Sequence, residues 1–146
     1  MKYSTIYMRK YRAGEKTAKD NGLRYLINTL KWKPVPGFPG YLAAKEGYIL
    51  SGERIIIRSN GKPYTSPATI MKPFNNKKKP YRRVHLSLNG NKTHQLVHRL
   101  VYLAWNGPIP DDKVVDHIDN DVSNNSSSNL QLLYDIENLL KERRTK

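Results

Sequence analysis

The 146 residues carry 26 Lys plus Arg against 12 Asp plus Glu, a formal charge of +14, and no cysteine. A chain of this length holds one compact core with extensions rather than two full domains, and so much positive charge selects a polyanion, nucleic acid first, as partner. The lack of cysteine excludes disulfides, thiolate metal sites and a cysteine nucleophile; with no apolar run of bilayer length and no signal-peptide pattern, the expectation is a soluble, cytoplasmic protein without a membrane partner.

Residues 1–33 hold 9 basic and 2 acidic side chains, with Tyr3, Tyr7, Tyr11 and Tyr25 interleaved. The spacing of Leu23, Leu26, Ile27 and Leu30 predicts a helix from Glu15 to Lys31. This first unit reads as a basic arm with a helix. An ordinary solvated helix face explains its charges as well as a nucleic-acid contact does, and the tyrosines also suit a core.

Pro34, Pro36, Gly37, Pro39 and Gly40 break any helix and set a boundary. A second unit, 34–80, reads as a small β module with a basic linker. Its strand candidates are Tyr48 to Leu50 and Arg54 to Arg58, the latter favoured by the β-branched run Ile55, Ile56 and Ile57. Lys77, Lys78 and Lys79 end it, and with Arg82 and Arg83 they form the densest basic cluster, suited to phosphate contact.

In the third unit, 81–146, Val84, Leu86 and Leu88 alternate with Arg83, His85 and Ser87, the pattern of a half-buried strand. Asn89-Gly90-Asn91 signals a hairpin with Thr93 to Val97 returning. From His98, the apolar positions Leu100, Val101, Leu103, Ala104 and Trp105 predict a short buried helix stopped by Gly107 and Pro108. Val114 and Val115 lead as a brief strand into Asp116-His117. A loop rich in Asn, Asp and Ser follows, then a strand at Leu130 to Leu133 and a terminal helix through Ile136, Leu139 and Leu140 that Asp135 is placed to cap.

Charge reverses sign along the chain: residues 1–110 hold 21 basic and 4 acidic side chains, whereas 111–146 hold 5 and 8. Carboxylates repel the phosphates that the basic body attracts, unless a cation stands between them. Phosphodiester hydrolysis needs a base for water, a cation for the developing charge and in-line positioning. Histidine serves as the base and carboxylate as a hard ligand for Mg²⁺. Ideal strand alternation would point Asp116 and His117 to opposite faces, so the strand must twist or end there for both to serve one site. Alone, an Asp-His pair reads as ordinary surface.

The stretch VVDHIDNDVSNNSSSNLQLLYDIEN, from Val114, resembles the HNH endonuclease motif in the variant common among phage- and intron-encoded enzymes. The motif positions fall on His117, Asn129 and Asn138, with Asp116 just before the first. Upstream, VHRLVYLAW (97–105) looks like the helix beside the nuclease motif, and residues 32–51 resemble a small strand module that often precedes it. Residues 1–31 lie outside the resemblance.

That resemblance implies an α+β fold: a β-hairpin platform, a C-terminal ββα-metal motif and a basic N-terminal helical extension. It implies a metal-dependent DNA endonuclease, homing-type or DNA-processing, that leaves 5′-phosphate and 3′-hydroxyl ends on double-stranded DNA, acting as a monomer or a DNA-induced dimer. Asp116 and Asn138 would ligate the metal, His117 would be the general base, and Asn129 would brace the loop so that His117 is oriented. Asn138 replaces the motif's final histidine, and a carboxylate with an amide oxygen favours Mg²⁺ or Mn²⁺ over zinc. Lys77, Lys78, Lys79, Arg82, Arg83 and Arg99 are the expected DNA contacts. His98 is expected to be structural, His85 and His94 surface residues, Asn124 and Asn125 turn formers, and Asp119 and Asp121 loop residues. Two rivals stand against this reading: an inactive DNA-binding protein retaining the fold, and a basic RNA-binding protein, which would leave the acidic 111–146 segment unexplained.

Overall fold

The computed structural model describes residues 18–75 and 78–145, and side chains within 22–141 of these. The first seventeen residues and Lys77 therefore lie outside the described part, as does the expected helix start at Glu15. Helix α1 (Ala18–Thr29) buries the predicted stripe: Ile27 packs with Leu50, Ala68 and Ile70, flanked by Leu23 and Leu26. It ends two residues earlier than expected. Trp32 Nε1 donates to the Ile27 carbonyl at 3.2 Å and Thr29 Oγ1 to that of Tyr25 at 2.7 Å, satisfying acceptors of the last turns.

The Pro/Gly-rich stretch is more regular than its composition predicts. Strands β1 (Trp32–Pro34), β2 (Tyr41–Ala44), β3 (Ile49–Ser51) and β6 (Thr69–Ile70) form an antiparallel sheet in the order β1-β2-β3-β6. β4 (Arg54–Ile57) pairs with β5 (Pro63–Ser66) as a separate ribbon. The Ile55–Ile57 run is a strand, as its β-branched composition predicts, yet Ile55 is 72% exposed and Ile57 65%. Strand propensity survives there without burial.

Strands β7 (Arg83–Leu88) and β8 (Asn91–Leu96) form the expected hairpin, with Val84 and Leu86 buried and His85 opposite His94. Asn89 and Gly90 have φ of 51° and 80°, the left-handed pair that a two-residue turn requires. Helix α2 (Val97–Trp105) follows at once and buries Leu100 and Val101 in the main core, with Val35, Tyr41, Ile49, Val115 and Leu130. Two long-range bonds lock the layers. Trp105 Nε1 donates to the Ala43 carbonyl at 2.8 Å, and the Ser87 amide donates to the Tyr41 hydroxyl at 2.7 Å.

The last elements are β9 (Lys113–His117), a 3-10 turn at Ser127–Asn129, β10 (Leu130–Tyr134) and α3 (Asp135–Thr145), with β9 and β10 antiparallel. This is the strand, loop, strand and helix order read from the sequence. Asp135, expected as a cap, is instead the first helical residue; with Glu137 it sets carboxylates against the positive end of the helix dipole. Among the described residues no helix is long and apolar enough to cross a membrane.

Candidate active site

Asp116 and His117 reach one site because β9 ends at His117. The chain turns there: the Asn120 amide donates to the His117 carbonyl at 3.0 Å, and Asn120 takes a left-handed φ of 63°, which asparagine tolerates. Both residues line a cleft of about 170 Å³ that Tyr81, Asn120, Asn138 and Lys141 also line. The register sets Asp116 opposite Gln131, whose Nε2 donates to Asp116 Oδ2 at 2.9 Å. From α3, Lys141 Nζ reaches the same oxygen at 2.6 Å and the His117 carbonyl at 2.7 Å. Asn138 stands three residues before Lys141, on the same helix face.

His117 is only 3% exposed, and its Nε2 lies 2.8 Å from Asn125 Oδ1. An amide oxygen only accepts, so in this pairing Nε2 carries the hydrogen and the lone pair is left on Nδ1. The ring packs between Tyr81, stacked at a centroid distance of 6.0 Å, and His98, tilted at 4.8 Å. His98 is buried as expected, with no hydrogen-bond partner for Nδ1 among the described residues. Burial, then the electrostatic influence of His117 and Arg99, push its pKa down to about 3 against the weaker opposing pull of Asp116. It is therefore a neutral wall to the site at neutral pH.

The loop between the strands holds itself in shape. Asn129 Nδ2 donates to Asp119 Oδ1 and to the Asn124 carbonyl, each at 2.9 Å, and its Oδ1 accepts from the Asp119 amide at 3.2 Å. Asn129 thus ties the loop's two ends, while the contact with His117 belongs to Asn125. Asn125, expected to form a turn, is instead buried against the imidazole. Asp119 and Asp121 do shape the loop. The Asn124 amide, the Asp121 N–H and the Asn129 amide hold the Asp119 carboxyl below its usual range, and Ser123 does the same for Asp121.

The β2–β3 turn fixes the loop from outside. The Ser127 amide donates to the Lys45 carbonyl at 2.7 Å, and Ser126 Oγ to that of Glu46 at 3.4 Å. Gly47, at φ +106°, lies so close that a Cβ there would stand 3.0 Å from the Asn125 carbonyl carbon. Only glycine combines that backbone conformation with that approach. Sequence alone gave no signal for this pairing, because it joins residues nearly eighty apart.

Among the described residues no three His, Asp or Glu side chains converge as a ligand set. Asp116 and Asn138, which share the cleft, offer one carboxylate and one amide oxygen. That set fits a hard ion such as Mg²⁺, which keeps most of its waters and takes few protein ligands. Among the basic residues, Lys78 and Lys79 are exposed on the connector into β7, three and two residues before Tyr81 of the cleft; Arg82 and Arg83 are half-buried at the start of the hairpin, and Arg99 is half-buried on α2. Arg82 Nη1 donates to Asn75 Oδ1 at 2.5 Å.

No curated protein is significantly similar in sequence to this chain. Among solved structures, the chain is similar to the HNH homing endonuclease I-HmuI, described as showing DNA binding and cleavage by that protein, at 25% identity and a TM-score of 0.60. The likeness covers 80% of this chain and 59% of that one, so the matched part spans about three fifths of its neighbour's length. Residues 95–140, from the end of β8 through the cleft to Leu140 on α3, match the HNH endonuclease family. That segment, which contains Asp116, His117, Asn129 and Asn138, is where the chain is similar to the HNH endonuclease family.

Proposed function

We propose that the protein is a metal-dependent DNA endonuclease of the ββα-metal kind, with the chemistry centred on His117. The observation that carries this reading is the burial of His117 between Tyr81 and His98, with Nε2 held by Asn125, in the cleft that Asp116 and Asn138 line. A surface histidine has no need of such restraint. A general base does, because its tautomer and orientation must be set before water arrives.

In this reading Asp116 and Asn138 hold a Mg²⁺ or Mn²⁺ ion, which when bound neutralises charge on the scissile phosphate and the leaving 3′ oxygen. His117 takes the proton from the attacking water at Nδ1, while Asn125 keeps the other nitrogen protonated. Asn129, by tying Asp119 to Asn124, keeps Asn125 at the ring. Lys78, Lys79, Arg82, Arg83 and Arg99, together with Lys77, supply phosphate contacts on double-stranded DNA. The products are 5′-phosphate and 3′-hydroxyl ends. The likeness to a homing endonuclease that binds and cleaves DNA supports a homing-type or related role for this chain.

Incubation of supercoiled plasmid with the purified protein tests this. Nicked or linear DNA is expected with Mg²⁺ or Mn²⁺ and none with a chelator; intact plasmid across Mg²⁺, Mn²⁺ and Ni²⁺ would favour the second reading, a DNA-binding protein that has lost turnover. One observation favours that alternative: the ligand set has no imidazole, and its only carboxylate already carries Lys141.

A further inference from the structure

The Lys141 ammonium sits among oxygens. Its three N–H donors face Asp116 Oδ2 at 2.6 Å, the His117 carbonyl at 2.7 Å and the Ile118 carbonyl at 3.4 Å. One carboxylate and two backbone carbonyls are the surroundings of a hard cation, and Lys141 occupies them with its own charge. The pair is largely shielded, with side-chain exposures of 23% for Lys141 and 11% for Asp116, so solvent screens it less than a surface ion pair. Gln131 adds a donor to the same carboxylate oxygen from the opposing strand. Asp116 Oδ2 is therefore committed to two nitrogens, one of them positively charged.

We propose that Lys141 is a tethered competitor for the cation position: it neutralises Asp116 in the metal-free protein and must leave that oxygen before a divalent ion binds there. The inference rests on the assignment of Asp116 as a metal ligand under the proposed function. A monovalent charge on a four-carbon stem can swing away, whereas a charge fixed by the fold could not. Retaining it on Asp116 beside a divalent ion would set like charges within a few ångströms of each other, at side chains largely shielded from solvent. The consequence is a site that stays electrically balanced when empty and that binds metal more weakly than its oxygen donors alone would allow.

Direct binding of Mn²⁺, followed without DNA by electron paramagnetic resonance of the free ion, tests this apart from catalysis. Lys141→Met, and Lys141→Gln as a second variant, are expected to bind Mn²⁺ at least tenfold more tightly than wild type, and Lys141→Arg to stay within about threefold of it. Circular dichroism confirms that each variant is folded. Asp116→Asn combined with Lys141→Met separates the two claims. If this double variant loses the tight site while Lys141→Met gains it, the inference stands. If Lys141→Met and Lys141→Gln bind no more tightly than wild type, yet Asp116→Asn lowers Mn²⁺ binding, Lys141 does not compete and only this inference fails. If Asp116→Asn changes nothing in either background, the metal assignment itself fails and the inference with it.

Discussion

Removing Asn125 is the perturbation that separates an oriented base from a merely buried histidine. In Asn125→Ala the His117 Nε2–H loses the acceptor 2.8 Å away, at a ring only 3% exposed. Leaving such a donor buried and unsatisfied costs about 1–3 kcal/mol, or roughly 3–10 °C in Tm for a chain of this size. The catalytic cost is separate. Without the amide the imidazole loses the contact that fixes its tautomer and tilt, so a fall in cleavage rate of about 10- to 100-fold is expected, a part of the roughly 10²–10⁴-fold that general-base catalysis supplies. Single-turnover cleavage, measured well below the variant's melting temperature, reads the second effect without the first. Cleavage at the wild-type rate by a folded Asn125→Ala protein would refute the claim that this contact sets the base.

Gly47→Ala is expected to lower both stability and cleavage, because its Cβ would stand 3.0 Å from the Asn125 backbone at a φ that side chains resist; a cost of about 1–3 kcal/mol in urea unfolding is the expected size. Stability should fall in acid through His98. Its pKa in the folded protein is lowered from 6.5 to about 3, so its contribution is complete above the unfolded value and is lost as the pH falls through 6.5 towards 3. At pH 5 the loss relative to pH 7.5 is about 2 kcal/mol, and His98→Gln should flatten that part of the urea-midpoint profile. The lowered Asp119 and Asp121 carboxyls act in the same direction at lower pH, since stability from a depressed carboxyl is lost as it becomes protonated. In DNA binding, Lys78→Ala with Lys79→Ala should weaken affinity and reduce the slope of log K against log salt by about one to two. An unchanged slope would remove those lysines from the interface. Leu100→Ala, at a side chain 1% exposed, should cost about 2–5 kcal/mol, measured by urea unfolding.

The local parts of this fold were legible because their signals are local. The β7–β8 hairpin follows from the alternation of Val84, Leu86 and Leu88 and from an Asn-Gly pair placed where left-handed φ is needed. Helix α2 follows from its apolar spacing. The strands β1, β2, β5 and β6 carry no such mark: Ala43 and Ala44 are fully buried through packing against distant elements, not through their own hydrophobicity. Ile55 to Ile57 show the converse, a strong strand signal on an exposed ribbon. At the candidate site, Asp116, His117, Asn129 and Asn138 were singled out by the resemblance of their motif, not by composition or periodicity. Asn125 was not, since nothing in NNSSSN distinguishes it from Asn124 until Gly47 comes against it. Lys141 was hidden for a similar reason, because its link to Asp116 depends on how α3 lies across β9.

Under the proposed function, His117 activates water for attack on a DNA phosphodiester. Single-turnover cleavage of end-labelled duplex with Mg²⁺, comparing wild type with His117→Ala and mapping the chemistry of both new ends, tests it most directly. Wild type is expected to leave 5′-phosphate and 3′-hydroxyl ends, and His117→Ala to lose about 100-fold or more in rate. Equal rates for the two proteins would contradict it.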